Sequence, residues 1–155
     1  MNDLLVALAK RDLNGALRLL EADFEVNFRD SDGRTALMHA AMDGKGEFLD
    51  LLIRFGADIN ASDKNGFTAL HFAAQEFQVA CAKTLLDAGA LVDSQDRFGN
   101  TPLWRATFSS RGRGEMITLL LERGANPGTK NLSGNSPVDL ADTIANYDLK
   151  HFFGK

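Results

Sequence analysis

Asp63-Lys-Asn-Gly-Phe-Thr-Ala-Leu-His-Phe-Ala-Ala74 decides the fold of this chain. It opens as a polar, glycine-bearing turn and passes at Thr68 into small and apolar residues. Gly66 supplies the positive φ that a tight reversal needs. Thr68 suits a helix N-cap, its side-chain oxygen accepting from an otherwise orphaned N–H. The phrase recurs: Asp30-Ser-Asp-Gly-Arg-Thr-Ala-Leu-Met-His-Ala-Ala41 precedes it, and Asp96-Arg-Phe-Gly-Asn-Thr-Pro-Leu-Trp-Arg-Ala106 follows. Ser133-Gly-Asn-Ser-Pro-Val-Asp-Leu-Ala141 is a last, shorter copy. Gly33, Gly66 and Gly99 are spaced by 33 residues and Gly134 follows after 35. A second series, Gly56, Gly89 and Gly124, keeps the same steps. A fixed period of this length marks a solenoid, whose small units each bury a face against the next.

Residues 30–62 show how a unit is built. The turn at Asp30 to Gly33 reverses the chain, and Thr35 starts a short helix faced with Ala40 and Ala41. A turn near Gly44 and Gly46 leads to a second helix, where Phe48, Leu49, Leu52 and Ile53 form a stripe at helical spacing. Gly56 ends that helix in the left-handed position. Proline at Pro102 and Pro137 suits a first helical residue, where no N–H is missed. The pattern predicts an all-α solenoid of helix-turn-helix units with hairpin turns. It divides a single domain, 1–155, into three full units at 30–62, 63–95 and 96–130, with capping units at 1–29 and 131–155. Asp23 takes the capping glycine's place in the first unit. A last helix is expected from Thr143 to Phe153, and a core that includes Leu19, Leu20, Leu52, Leu85, Leu86, Leu120 and Phe152.

These phrases, with their Leu-Leu or Leu-Ile helix ends followed by Gly-Ala, closely resemble ankyrin repeats, and the resemblance covers essentially the whole chain. It implies a binding surface on the concave side, at the hairpin tips and the first helices. It also implies that His71 is a structural histidine bonded near the Thr68 turn. Trp104 and Met38 stand where such units commonly carry that histidine. The resemblance specifies a fold far more sharply than a function.

Composition narrows the function. The chain carries 17 basic and 21 acidic residues, interspersed, for a net charge of −4. Binding to nucleic acid calls for a basic stripe, which is absent. Cys81 is the single cysteine, so no internal disulfide forms, and it reads as a buried small hydrophobe. The start, Met1 to Lys10, lacks the basic region and cleavage site of a signal peptide. No apolar run reaches membrane-spanning length. The expectation is a cytoplasmic chain, monomeric when free, with no membrane or nucleic-acid partner.

No chemistry emerges from the usual catalytic residues. His39, His71 and His151 are far apart and lack paired metal-ligand spacing, so no metal or cofactor is expected. Asp30, Asp63 and Asp96 recur at the repeat period and are explained by their turns. The expectation is a non-catalytic protein-binding module.

Departures from the repeat are the candidate contact residues. The turn of the 96–130 unit is two residues longer than its counterpart: Phe108-Ser-Ser-Arg-Gly-Arg-Gly114. Insertions in solenoids map to loops on one face, and Arg111 and Arg113 suit bidentate contact with carboxylates. Phe67 and Phe98 are aromatics at turn positions. With Arg34, Arg97, Trp104 and Phe108 they supply the ring and guanidinium types that dominate interface energetics. The segments Ser110–Glu115 and Leu140–Phe153 are similar to those of small bacterial ankyrin proteins, some of which are immunity proteins for secreted toxins. That implies a cytoplasmic inhibitor binding one partner through the concave face and the 108–114 turn. The alternative is an adaptor or structural subunit stabilising a larger complex or enzyme.

Overall fold

A computed structural model describes residues 3–144 and 147–154. Among them are ten helices and no strand; a lone antiparallel bridge joins Ser62 and Thr68. Four helix pairs come first: α1 (Asp3–Ala9) and α2 (Leu13–Glu21), α3 (Ala36–Met42) and α4 (Gly46–Arg54), α5 (Ala69–Gln75) and α6 (Val79–Asp87), α7 (Pro102–Ser109) and α8 (Glu115–Glu122). α9 (Pro137–Thr143) and α10 (Lys150–Phe153) follow. First helices α3, α5, α7 and α9 stack in one layer, and α4, α6 and α8 in another. This is the expected all-α solenoid.

The local chemistry is that of the repeat phrase. Thr35, Thr68, Thr101 and Ser136 each cap a first helix, their oxygens accepting from the N–H three residues on. The alanines Ala40, Ala41, Ala73, Ala74 and Ala106 are wholly buried, which lets neighbouring first helices approach closely. Second helices supply the bulk: Leu20, Leu52, Leu85 and Leu120 stand one per unit in the core. Leu19, Leu86 and Phe152, expected inside, are instead half-buried against its edge. Gly56, Gly89 and Gly124 end α4, α6 and α8 with φ of 81°, 93° and 88°. Asp23 adopts φ 63° in the same slot after α2.

The hairpins are closed by side chains that repeat with the period. Asp63 Oδ1 accepts from the N–H of Asn65 and Phe67 at 2.8 and 2.9 Å. Asp30 and Asp96 do the same, and Asn131 serves in the last hairpin. Successive hairpins are joined backbone to backbone. The N–H groups of Lys64, Arg97 and Leu132 donate to the carbonyls of Asp32, Asn65 and Phe98 at 3.1, 2.9 and 2.9 Å.

The last helix is shorter than expected. α9 stops at Thr143, Ile144 is extended, and α10 begins at Lys150. The expected span crosses Ala145 and Asn146, which lie outside the described residues. The C-terminal segment lies over the long turn. A Cβ on Gly112 would lie 2.7 Å from the Tyr147 ring, and one on Gly114 would overlap the ring of Phe152. Leu149, between them, is fully buried. Gly112, at φ 84°, and Gly114 leave room for these two rings.

Candidate functional site

The candidate residues fall on three patches. The largest runs from the first hairpin to the end of α7 as an unbroken line of cations and rings. Arg34 holds Asp63 of the next unit, Nε to Oδ2 at 3.4 Å, and its guanidinium lies 5.0 Å from the Phe72 ring centre. Phe72 meets Phe67 at 5.2 Å. Phe67 is covered in turn by Arg105 of the third full unit, 96–130, at 4.5 Å. Arg105 also lies 5.6 Å from Trp104, and Trp104 stacks on Phe108 at 5.3 Å with planes 10° apart. Arg34, Phe67 and Trp104 are half-buried, whereas Phe108 is 63% exposed.

Buried carboxylates hold this line in place. Asp96 is buried and receives Arg105 through Nε at 3.1 Å and through Nη2. Burial alone raises its pKa, but Arg105 and the N–H groups of Asn100 and Phe98 outweigh that and hold it below the ordinary range. Asp30 follows the same pattern: burial raises it, and His39 with the Arg34 and Asp32 amides brings it down. His39 Nε2 stands 2.8 Å from Asp30 Oδ2. The periodic aspartates therefore do two jobs. One oxygen closes the turn; the other meets a first-helix side chain at Asp30 and Asp96, His39 and Arg105, and the preceding hairpin's Arg34 at Asp63.

His71 is structural, as the resemblance implies. Thr68 N–H donates to its Nδ1 at 3.2 Å, completing a capping box, and Nε2–H donates to the Asn100 carbonyl at 3.0 Å. Burial drives its pKa down to about 4, so the ring is neutral. Asp139 takes the same register in the last unit and closes a capping box with Ser136. In the third unit the register is filled by Trp104, whose indole N–H is buried with no acceptor among the described residues.

The second patch is the third hairpin tip. Arg97 bonds the Asn65 side chain at 2.9 Å and lies 4.7 Å from the ring of Phe98, which is 48% exposed. The third is the long turn, where the two exposed arginines differ. Arg113 folds back: its Nε donates to the Ser110 carbonyl at 3.2 Å, and its guanidinium lies 4.1 Å from the Phe77 ring. Arg111 is exposed with φ 50°. The loop is held by Tyr147 and Phe152, because its glycines admit those rings.

Phe72, Phe77 and Arg105 escaped the sequence reading. Phe72 and Arg105 stand one residue after the His71 register, as His39 does in its own unit. Comparing that single register across units separates them from the core positions around them. Phe77 carries no such mark: it takes φ 57° at the turn between helices, where the preceding unit has Gly44.

A family model described as ankyrin repeats in three copies matches residues 4–96 and 56–131. The chain belongs to the ankyrin-repeat family. Ankyrin repeats are protein–protein interaction modules, and that is the coarse function of this chain. Among the described residues no group of three His, Cys, Asp or Glu side chains is arranged to hold a metal. No helix of the described residues is long and apolar enough to cross a membrane.

Proposed function

We propose that this ankyrin-repeat chain acts by binding, without catalysis, one protein partner across the hairpin and first-helix face. The contact residues are Arg34, Phe67, Arg97, Phe98, Trp104, Phe108, Arg111 and Arg113, now joined by Phe72 and Arg105. The observation that carries the reading is the line from Arg34 to Phe108. Aromatic and arginine side chains are the usual anchors of an interface. Here they are pre-ordered by Asp63 and Asp96, so little rotamer freedom is lost on binding.

The finer reading is a cytoplasmic inhibitor, monomeric when free, that covers the working surface of its partner, as an immunity protein covers a secreted antibacterial toxin. Its support is the similarity of the 110–115 and 140–153 segments to small bacterial ankyrin proteins. Those two segments also touch each other at Gly112–Tyr147 and Gly114–Phe152, which gives their joint occurrence a structural cause. The alternative, an adaptor or stabilising subunit, uses the same face.

Calorimetry on the purified complex tests the proposal. Phe67→Ala and Trp104→Ala should each weaken binding about tenfold or more, chiefly through faster dissociation. Lys83→Glu, at an exposed position of α6, should not. Parent-like binding by both anchor variants would remove this face as the interface. Loss of a partner enzyme's activity on stoichiometric addition favours the inhibitor; a gain in that enzyme's stability with full activity favours the subunit.

A further inference from the structure

Among the described residues, no hairpin stacks on the one at 30–34 from the side of α1 and α2. Three observations describe what is missing. Ser31 stands in the register of Lys64, Arg97 and Leu132, whose N–H groups each donate to the preceding hairpin; the Ser31 N–H has no acceptor among the described residues. A cavity of about 860 Å³ opens at the same place, walled by Leu5, Leu8 and Phe28, with Asp30, Ser31 and His39 at its polar end.

The third observation is what fills this position elsewhere. Asp63 and Phe72 are the counterparts of Asp30 and His39 one unit on. There the preceding hairpin supplies Arg34, which pairs with Asp63 and lies over Phe72. At the next junction the preceding hairpin supplies Phe67, which covers Arg105 on Asp96. These two junctions thus close with a carboxylate, a cation and a ring, whereas the last pairs Asn131 with Asn100. The first junction has the carboxylate and a ring, Asp30 with His39, and among the described residues no hairpin side chain lies on them.

We infer that this open junction docks an extended segment of a partner protein that carries an arginine beside an apolar residue. The segment's carbonyl accepts from Ser31 N–H, as one strand adds to an exposed edge. Its guanidinium pairs with Asp30 and lies on the His39 ring, repeating the geometry of Arg34 on Asp63 and Phe72. Its apolar neighbour enters the wall of Leu5, Leu8 and Phe28. Charge selects the occupant. Asp30 and Asp43 line the cavity, and Lys45 is engaged by Asp43 and the Leu8 carbonyl. An acidic segment would be repelled. Arginine fits better than lysine because only a planar guanidinium both stacks on a ring and forks onto a carboxylate.

The inference rests on the proposed function only in treating this face as partner-binding; its test needs no natural partner. The probe is the blocked peptide Gly-Ile-Arg-Ile-Gly, titrated into the isotope-labelled full chain, with the same peptide bearing citrulline for arginine as control. Saturable shifts are expected at the Ser31 amide, the Leu8 amide and the His39 ring. Citrulline should weaken binding about tenfold, the loss for a charge-assisted bond. Asp30→Asn should do the same while keeping the turn, since Asn131 closes the last hairpin in that way. Phe67→Ala should leave peptide affinity unchanged. Equal binding of the two peptides, shifts elsewhere, or no saturable shift would overturn the inference. So would peptide-free, concentration-dependent shifts at Ser31 and Leu132, which would make the occupant a second copy of this chain. If the peptide binds as described while the natural partner ignores Phe67→Ala and Trp104→Ala, the contact surface proposed above fails and this site stands.

Discussion

The guanidinium of Arg105 lies 4.5 Å from the centre of the Phe67 ring, one unit back along the stack, while its nitrogens hold the buried Asp96 carboxylate. One side chain thus ties a hairpin, a first helix and the neighbouring unit together. Arg105→Ala leaves Asp96 buried without its cation and should cost about 2–4 kcal/mol in denaturant melts. The Phe67→Ala/Arg105→Ala cycle should return a coupling of about 0.5–1 kcal/mol. A single-variant loss below about 0.5 kcal/mol would show that water replaces the guanidinium at Asp96 without penalty.

Stability should fall with acid through His71. Its folded pKa of about 4 lies below the ordinary 6.5, so the unfolded chain takes up the proton first as pH drops. The contribution is complete above about pH 6.5, is lost as pH falls toward 4, and amounts to about 3 kcal/mol. Asp30 and Asp96, held below the carboxylate range, add a further loss only below about pH 4. Melts at pH 7, 5.5 and 4 check the sign. His71→Met, which copies Met38 of the same register, should be less stable at pH 7 and should flatten the slope between 6.5 and 4. An unchanged slope would place the titrating group elsewhere.

Gly114 should not tolerate a side chain. Its φ of −105° is open to any residue, so Gly114→Ala acts only through the Phe152 ring, which the added Cβ would overlap. The expected cost is about 1–3 kcal/mol. In a Phe152→Ala background most of that cost should vanish. Full additivity of the two changes would mean that the C-terminal segment does not rest on the turn.

The helix-ending slot gives a matched pair. Gly89 has φ 93° and open space around it, so Gly89→Val should lose about 1–2 kcal/mol from backbone strain alone. Asp23 already strains the same slot at φ 63°, so Asp23→Gly should be neutral or stabilising by up to about 1 kcal/mol. A clear loss on Asp23→Gly would assign the aspartate side chain a contact of its own.

Arg111 and Arg113, paired by sequence, should behave differently. Arg111→Glu should leave thermal stability unchanged and slow association with an acidic partner surface. Arg113→Glu should also lower stability, by about 0.5–1 kcal/mol, because it uncovers Phe77. Identical melting of the two variants would mean that the Arg113–Phe77 contact contributes nothing.

The repeat phrase by itself determined the fold. Thr68, Gly66 and Leu85 act within a turn or a helix, and their consequences recur every unit, so periodicity amplifies a local signal until it is unmistakable. The same logic exposed Asp30, Asp63 and Asp96 as turn-closing residues. Tertiary structure alone decided where the departures point. Arg105 reaches back to Phe67, Arg34 reaches forward to Asp63, and Arg113 folds over Phe77, because neighbouring units bring together residues about 30 positions apart. The C-terminal segment has the same origin: Tyr147 and Phe152 lie against Gly112 and Gly114, more than 30 positions earlier in the chain. Local preference wrote the scaffold, and the contacts between units, which no single phrase contains, assembled the surface.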